Sequence, residues 1–178
     1  YEDLNSGDIF IIMTCYNDFW DIARQSHSGR SKIWYELIDG NLIRHDPVIT
    51  WPIILRDKSY LWAKASSLFE KQTFSAEQIV DAFKIYDRLV SKDAQELQKK
   101  GVHVFLAYFG FGNIPHRILA TELEQNINSL CEKSNITCVP IDARLSGQGD
   151  CFLKDGHWNK KGNNMVGNIL LDEIEKTK

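Results

Sequence analysis

Three uninterrupted apolar runs constrain what this chain can fold into more than any other feature of its sequence. Asp8-Ile9-Phe10-Ile11-Ile12-Met13-Thr14, Val102-His103-Val104-Phe105-Leu106-Ala107-Tyr108-Phe109 and Ile136-Thr137-Cys138-Val139-Pro140-Ile141 are rich in β-branched and aromatic residues and lack the alternation of a strand with one wet face. A strand covered on both sides reads this way, as happens when helices flank a parallel sheet. Pro140 has no amide hydrogen to give to a ladder, so it marks the end of its strand or an edge position.

Helical patterns lie between these runs. Ser75-Ala76-Glu77-Gln78 is a capping box, with Phe74 and Ile79 placed as a hydrophobic staple, and the stripe Ile79, Phe83, Tyr86, Val90, Leu97 leads to a C-cap at Gly101. A second helix after Pro115 aligns Leu119, Leu123, Ile127 and Leu130, and a third starting near Asn159 repeats Met165, Val166, Ile169, Leu170 and Ile174. Strands alternating with such helices predict βαβ units, a parallel sheet and helices on both faces, which is an α/β chain.

At 178 residues the chain is expected to form one domain over 1–178, with an insertion at about 25–73. That stretch breaks the alternation, carries Trp34, Trp51 and Trp62, and contains an Asp39-Gly40 turn and a Ser59 to Phe69 segment of helical character. These tryptophans and Trp20 are expected to serve packing of the insertion, with a platform for a sugar or acyl group as the lesser alternative.

Charge and cysteine usage narrow the function classes. Lys+Arg 21 against Asp+Glu 24 gives −3, so no global positive field exists to attract nucleic acid or an anionic membrane surface. No apolar run reaches the roughly 18 residues of a membrane span. Four cysteines without Cys-x-x-Cys spacing do not make a disulfide framework or a zinc site. Reduced thiols are expected, and a Cys131–Cys138 bridge is the lesser alternative. His27 and His45 fall in the insertion, His103 in a strand and His116 at a helix start, so no metal and no cofactor are expected.

In open α/β sheets ligands bind beyond the carboxyl ends of the strands. The segment after each run is therefore the place to look: Cys15-Tyr16-Asn17-Asp18 after the first, Gly110-x-Gly112-Asn113 after the second, and Asp142-Ala143-Arg144 with the loop to Lys154-Asp155-Gly156-His157-Trp158-Asn159 after the third. In extended backbone residues i and i+2 share a side, so the Asp155 carboxylate can reach the His157 imidazole, with Gly156 permitting the path. A carboxylate on one ring nitrogen leaves the other as a general base for a hydroxyl. The bland alternative is an Asp-Gly turn, an exposed His157 and Asn159 capping the last helix. Asn17 and Asp18 likewise suit a plain turn or cap, and Gly110-x-Gly112 a plain strand-to-helix turn.

The string Asp155-Gly156-His157-Trp158-Asn159-x-x-Gly162 resembles the closing motif of SGNH (GDSL-type) hydrolases, and Tyr16-Asn17-Asp18 resembles that family's Gly-x-Asn-Asp block. Trp34 to Leu42 looks like an insertion found in many bacterial members. The resemblance runs over essentially the whole chain, from the family's third strand to its C-terminal helix. It implies a three-layer α/β/α sandwich of the flavodoxin-like SGNH kind whose N-terminal strands lie outside this chain. It also implies a serine esterase or O-acyltransferase working through an acyl-enzyme on a small-molecule or carbohydrate ester, and it leans toward a secreted or periplasmic setting. In that scheme His157 is general base then acid, Asp155 orients it, Asn17 donates to the oxyanion, and the Gly-Asp-Ser nucleophile is expected upstream of Tyr1. Two positions depart from the family pattern. Lys154 stands where most members carry the Asp, with Asp155 at the spacing of alginate-type acetylation relatives, and Cys15 replaces the glycine that opens the oxyanion block. Gly149-Asp150-Cys151 imitates Gly-Asp-Ser but succeeds no strand and opens no helix, and is read as loop. The rival readings are a catalytically inactive flavodoxin-like module that binds a partner and a nucleotide-binding doubly wound domain; the missing Gly-rich phosphate loop disfavours the latter.

Overall fold

The computed structural model describes residues 3–16, 18–23, 26–27, 30–47, 75–111, 117–153 and 157–177. The chain divides into two compact units, Tyr1–Tyr16 with Asp93–Lys178, and Asn17–Lys92.

In the first unit the three apolar runs become strands β1 (Ile9–Cys15), β6 (His103–Phe109) and β7 (Thr137–Pro140), all parallel and in the order β1-β6-β7. The register aligns Ile9 with His103 and Cys15 with Phe109, and then Phe105 with Thr137 and Tyr108 with Pro140. Pro140 is the last residue of an end strand, where its missing donor costs no ladder bond. Only the middle strand shows the expected burial on both sides: Val104 to Tyr108 are all buried, whereas β1 is half-buried along most of its length and Met13 is 44% exposed. Among the described residues β1 has a strand on one side only and is covered less than β6, so an apolar run alone does not say which position its strand takes in the sheet.

Helices cover both faces of this sheet. On one face Phe105, Ala107 and Val139 pack with Ile141 and Leu145 of the short helix Ile141–Leu145, and with Val166, Ile169 and Leu170 of the last helix, Lys160–Glu175. On the other face the Tyr108 hydroxyl lies 3.3 Å from Asn128 Oδ1 of helix Arg117–Lys133, whose Leu119, Leu123, Ile127 and Leu130 are buried as the spacing predicts. Burial pushes the Tyr108 phenol above its ordinary pKa, with the Glu124 carboxylate adding to the rise, so it stays a neutral donor to Asn128.

The two helix-to-strand turns use one device twice. Helix Ala76–Lys99 ends in a Schellman motif in which Val102 N–H bonds Leu97 C=O (3.2 Å) and Gly101 N–H bonds Gln98 C=O (2.9 Å), with Gly101 at φ +77. Helix Arg117–Lys133 ends likewise: Ile136 N–H bonds Cys131 C=O (2.8 Å), Asn135 N–H bonds Glu132 C=O (3.3 Å), and Asn135 takes φ +52. Val102 and Ile136, the first apolar residues past each cap, are both buried and lead directly into strands. The start of Ala76–Lys99 is the predicted capping box, Ser75 N–H to Gln78 Oε1 at 3.0 Å and Gln78 N–H to Ser75 Oγ at 3.2 Å. Phe74, Pro115 and the Ser59 to Phe69 segment lie outside the described residues.

Cys131 and Cys138 form a disulfide, Cα atoms 5.9 Å apart. The expectation of reduced thiols fails at this pair. The Schellman turn reverses the chain so that the end of one helix and the start of β7 face each other, a proximity that seven residues of sequence separation do not reveal. Cys15 and Cys151 are not joined in a disulfide.

The second unit contains helix α1 (Asp18–Ile22), the two-residue strands β2 (Ser26–His27) and β3 (Arg30–Ser31), and the hairpin β4 (Trp34–Ile38) with β5 (Asn41–His45). The predicted Asp39-Gly40 turn joins β4 to β5, with φ +49 and +77. Phe19 is fully buried, its ring edge-on to Phe83 and Tyr86 at 5.4 and 4.9 Å. Trp34 stacks on His45 at 4.0 Å, a packing role like the one expected for it, while Trp51 and Trp62 lie outside the described residues.

Candidate functional site

Polar contacts tie the carboxyl ends of the strands to the segments that leave them. Tyr16 N–H bonds Phe109 C=O at 3.2 Å, joining the ends of β1 and β6. Asp142, just past β7, accepts from Phe111 N–H at 3.0 Å through Oδ2 and so fixes the turn that leaves β6. Gly110 in that turn has φ +83, and a Cβ there would press on the Tyr16 ring and the Cys15 thiol. Of the expected strand-to-helix turn, Gly110 and Phe111 are described, while Gly112 and Asn113 lie outside the described residues.

His157 is brought to the same edge by a small antiparallel ribbon. Phe152 pairs with Trp158, Leu153 N–H donates to His157 C=O at 2.7 Å, and Asn159 N–H donates to Cys151 C=O at 3.0 Å. This is a close, non-hydrogen-bonded Phe152–Trp158 pair flanked by bonds on either side. Directly opposed residues project to one side, so Phe152 and Trp158 share one face and Leu153 and His157 share the other. The Trp158 ring lies 4.4 Å from that of Phe109, the last residue of β6, which anchors the first face to the sheet edge. His157 is exposed on the second face.

Below the ribbon, each residue of the Trp-Asn-x-x-Gly part of the motif has a structural task. Asn159 is the N-cap of the last helix, its Oδ1 accepting from Gly162 N–H at 3.0 Å, while its Nδ2 donates to Asp150 C=O at 2.7 Å. One side chain therefore holds the helix start and the incoming loop at once. Gly162 sits so close under that loop that an added Cβ would fall on the carbonyl oxygen of Cys151 and lie 3.1 Å from the Cβ of Trp158. Cys151 is fully buried with its Sγ 3.3 Å from Met165 Sδ, and Lys161 Nζ pairs with Asp150 Oδ2 at 2.5 Å. The Lys161 hydrogen bond holds the Asp150 carboxyl below its ordinary range, and Asp150 raises Lys161 in return. Gly149–Cys151 forms a three-residue 3-10 turn between β7 and the ribbon and has no strand in front of it, so it is part of the loop scaffold.

Of the predicted site residues, His157 stands at the carboxyl edge of the parallel sheet in a braced loop. Asp155, with Lys154 and Gly156, lies outside the described residues, as does Asn17. Among the described residues no three His, Cys, Asp or Glu side chains gather to hold a metal ion, and no helix is long and apolar enough to cross a membrane. Sequence reasoning missed Leu153 as the cross-strand neighbour of His157. The available signal was the near-symmetric Phe152-Leu153…His157-Trp158, with aromatic residues at the outer positions of both pairs. Comparison with protein-family models, curated proteins and solved structures found no match for this chain.

Proposed function

We propose that this chain supplies the general base of an SGNH-type serine esterase or O-acyltransferase, with His157 as the proton-transfer group. The observation that carries this reading is the bracing of the His157 segment. The ribbon, the Phe109–Trp158 contact and the Asn159 cap together hold the backbone of the exposed His157 near the sheet edge where α/β folds bind ligands.

On this reading the fold is the C-terminal part of a flavodoxin-like α/β/α sandwich. Asp155 orients the ring, and Asn17 donates its amide to the developing oxyanion, a contact commonly worth about 3–4 kcal/mol. The sequence contains no Gly-Asp-Ser, so the serine is supplied from outside these 178 residues. Its Oγ attacks the ester carbonyl as His157 takes its proton; collapse breaks the bond to the alkoxy oxygen, which receives that proton, and water or an acceptor alcohol then releases the acyl group by the reverse path.

The test is hydrolysis of an activated acetate ester by the natural full-length protein. His157→Ala is expected to lower kcat by roughly 10³-fold or more without unfolding the protein, because the ring is exposed. Unchanged turnover in that variant refutes the reading and leaves the inactive binding module in its place.

A further inference from the structure

Leu153 is 52% exposed and stands opposite His157 in the ribbon, on the same face. Directly opposed residues of an antiparallel pair hold their Cβ atoms only about 4.5–5.5 Å apart. A large apolar side chain is thus presented to solvent beside the imidazole, on a loop whose Trp158 packs against Phe109 from the opposite face, with Phe152 next to it 38% exposed.

The chemistry of ester cleavage says which part of a substrate meets that surface. To return its proton, the base must come within hydrogen-bond reach, about 2.6–3.2 Å, of the alkoxy oxygen as the bond from that oxygen to the carbonyl carbon breaks. The carbon substituent on the alkoxy oxygen is therefore the substrate group nearest the imidazole and its cross-strand neighbour, while the acyl substituent on the carbonyl carbon points away from it. The same place receives the acceptor in the second half-reaction.

We propose that Leu153 lines the alcohol side of the site, so that the protein selects esters and acceptors whose alcohol carries alkyl or aryl carbon next to the reacting oxygen. This rests on the reading of His157 as the proton-transfer group. A half-exposed leucine contacts part of such a chain, and burial is worth about 0.8 kcal/mol for each CH₂ fully removed from water. That converts to about fourfold in kcat/KM per fully buried CH₂; the five CH₂ groups between methyl and hexyl acetate would give about 1,000-fold if all were buried, and burial of about a third of that length against one leucine gives about tenfold.

The experiment measures kcat/KM of the full-length protein on two series: methyl, butyl and hexyl acetates, and methyl esters of acetate, butyrate and hexanoate. Leu153→Ser is expected to flatten the alcohol series to within about twofold and to leave the slope of the acyl series as it was, with the loss appearing in KM. Leu153→Phe is expected to restore the alcohol slope. The proposal is overturned if Leu153→Ser flattens the acyl series or neither, or if the alcohol series is already flat in the parent protein while His157→Ala is inactive. Turnover that survives His157→Ala removes the underlying reading itself, so the two failures are told apart by that control. Leu153→Ser and the parent should share one urea midpoint, since the residue is exposed.

Discussion

Gly162 and Gly167 lie about one and a half turns apart in the same terminal helix, and the same substitution should move stability in opposite directions at the two positions. Nothing lies within 4 Å of a Cβ built on Gly167, so Gly167→Ala should gain about 0.5–1 kcal/mol from helix propensity and a stiffer unfolded chain. At Gly162 the same gain is opposed by contact with the Cys151 carbonyl, which is backbone and cannot rotate away. Overpacking of this kind costs about 1–3 kcal/mol. The only relief is to move the loop off the helix, and that loosens the Asn159–Cys151 backbone bond and the Asn159 cap, each worth about 1 kcal/mol. Gly162→Ala should therefore lose about 1–3 kcal/mol overall. The gap between the two variants is then about 1.5–4 kcal/mol, or roughly 3–16 °C in Tm for a chain of this size. Urea unfolding read by circular dichroism, with m-values compared to exclude a change in the unfolded state, measures this directly. If Gly162→Ala proves as stable as Gly167→Ala, the loop does not rest on the helix as described, and the bracing of His157 falls with it.

Two more substitutions probe the same unit. Replacing Cys131 and Cys138 by serine should cost about 2–3 kcal/mol, the loop-closure entropy of a short cross-link, and reductant should lower the parent's urea midpoint but not the variant's; equal midpoints would show that the link is not formed. Glu173 accepts from Lys176 Nζ at 2.6 Å and from Arg144, and those hydrogen bonds, Lys176 first, hold its carboxyl below the ordinary value of 4.5. A lowered folded pKa stabilises above the unfolded value and is lost as pH falls through the folded one. Glu173→Gln should thus cost about 1 kcal/mol at neutral pH and nothing once the carboxyl is protonated, and a pH-independent difference would refute the pairing.

Legibility in the sequence tracked the range of the interactions. The capping box at Ser75 and the stripe from Ile79 to Leu97 were readable because a helix is built from contacts three and four residues apart, and the Asp39-Gly40 turn because its backbone demands are local. The apolar runs announced parallel strands for a similar reason, since burial on both faces leaves no room for alternation. The SGNH resemblance pointed to His157 as the residue of interest.

Tertiary structure decided what depends on partners far along the chain. Only the register of the sheet shows that β6, and not β1, is the covered centre. Only the Schellman turn at Asn135 brings Cys131 to Cys138. His157 makes the same point most clearly. The proposal of a proton-transfer role came from the residue and its neighbours, but its placement beside Leu153, with Trp158 turned to Phe109, comes from a cross-strand pairing that has no sequence period. Identity and local pattern are written in the chain; which side chains share a face across a turn is settled only when backbone amides and carbonyls choose their partners.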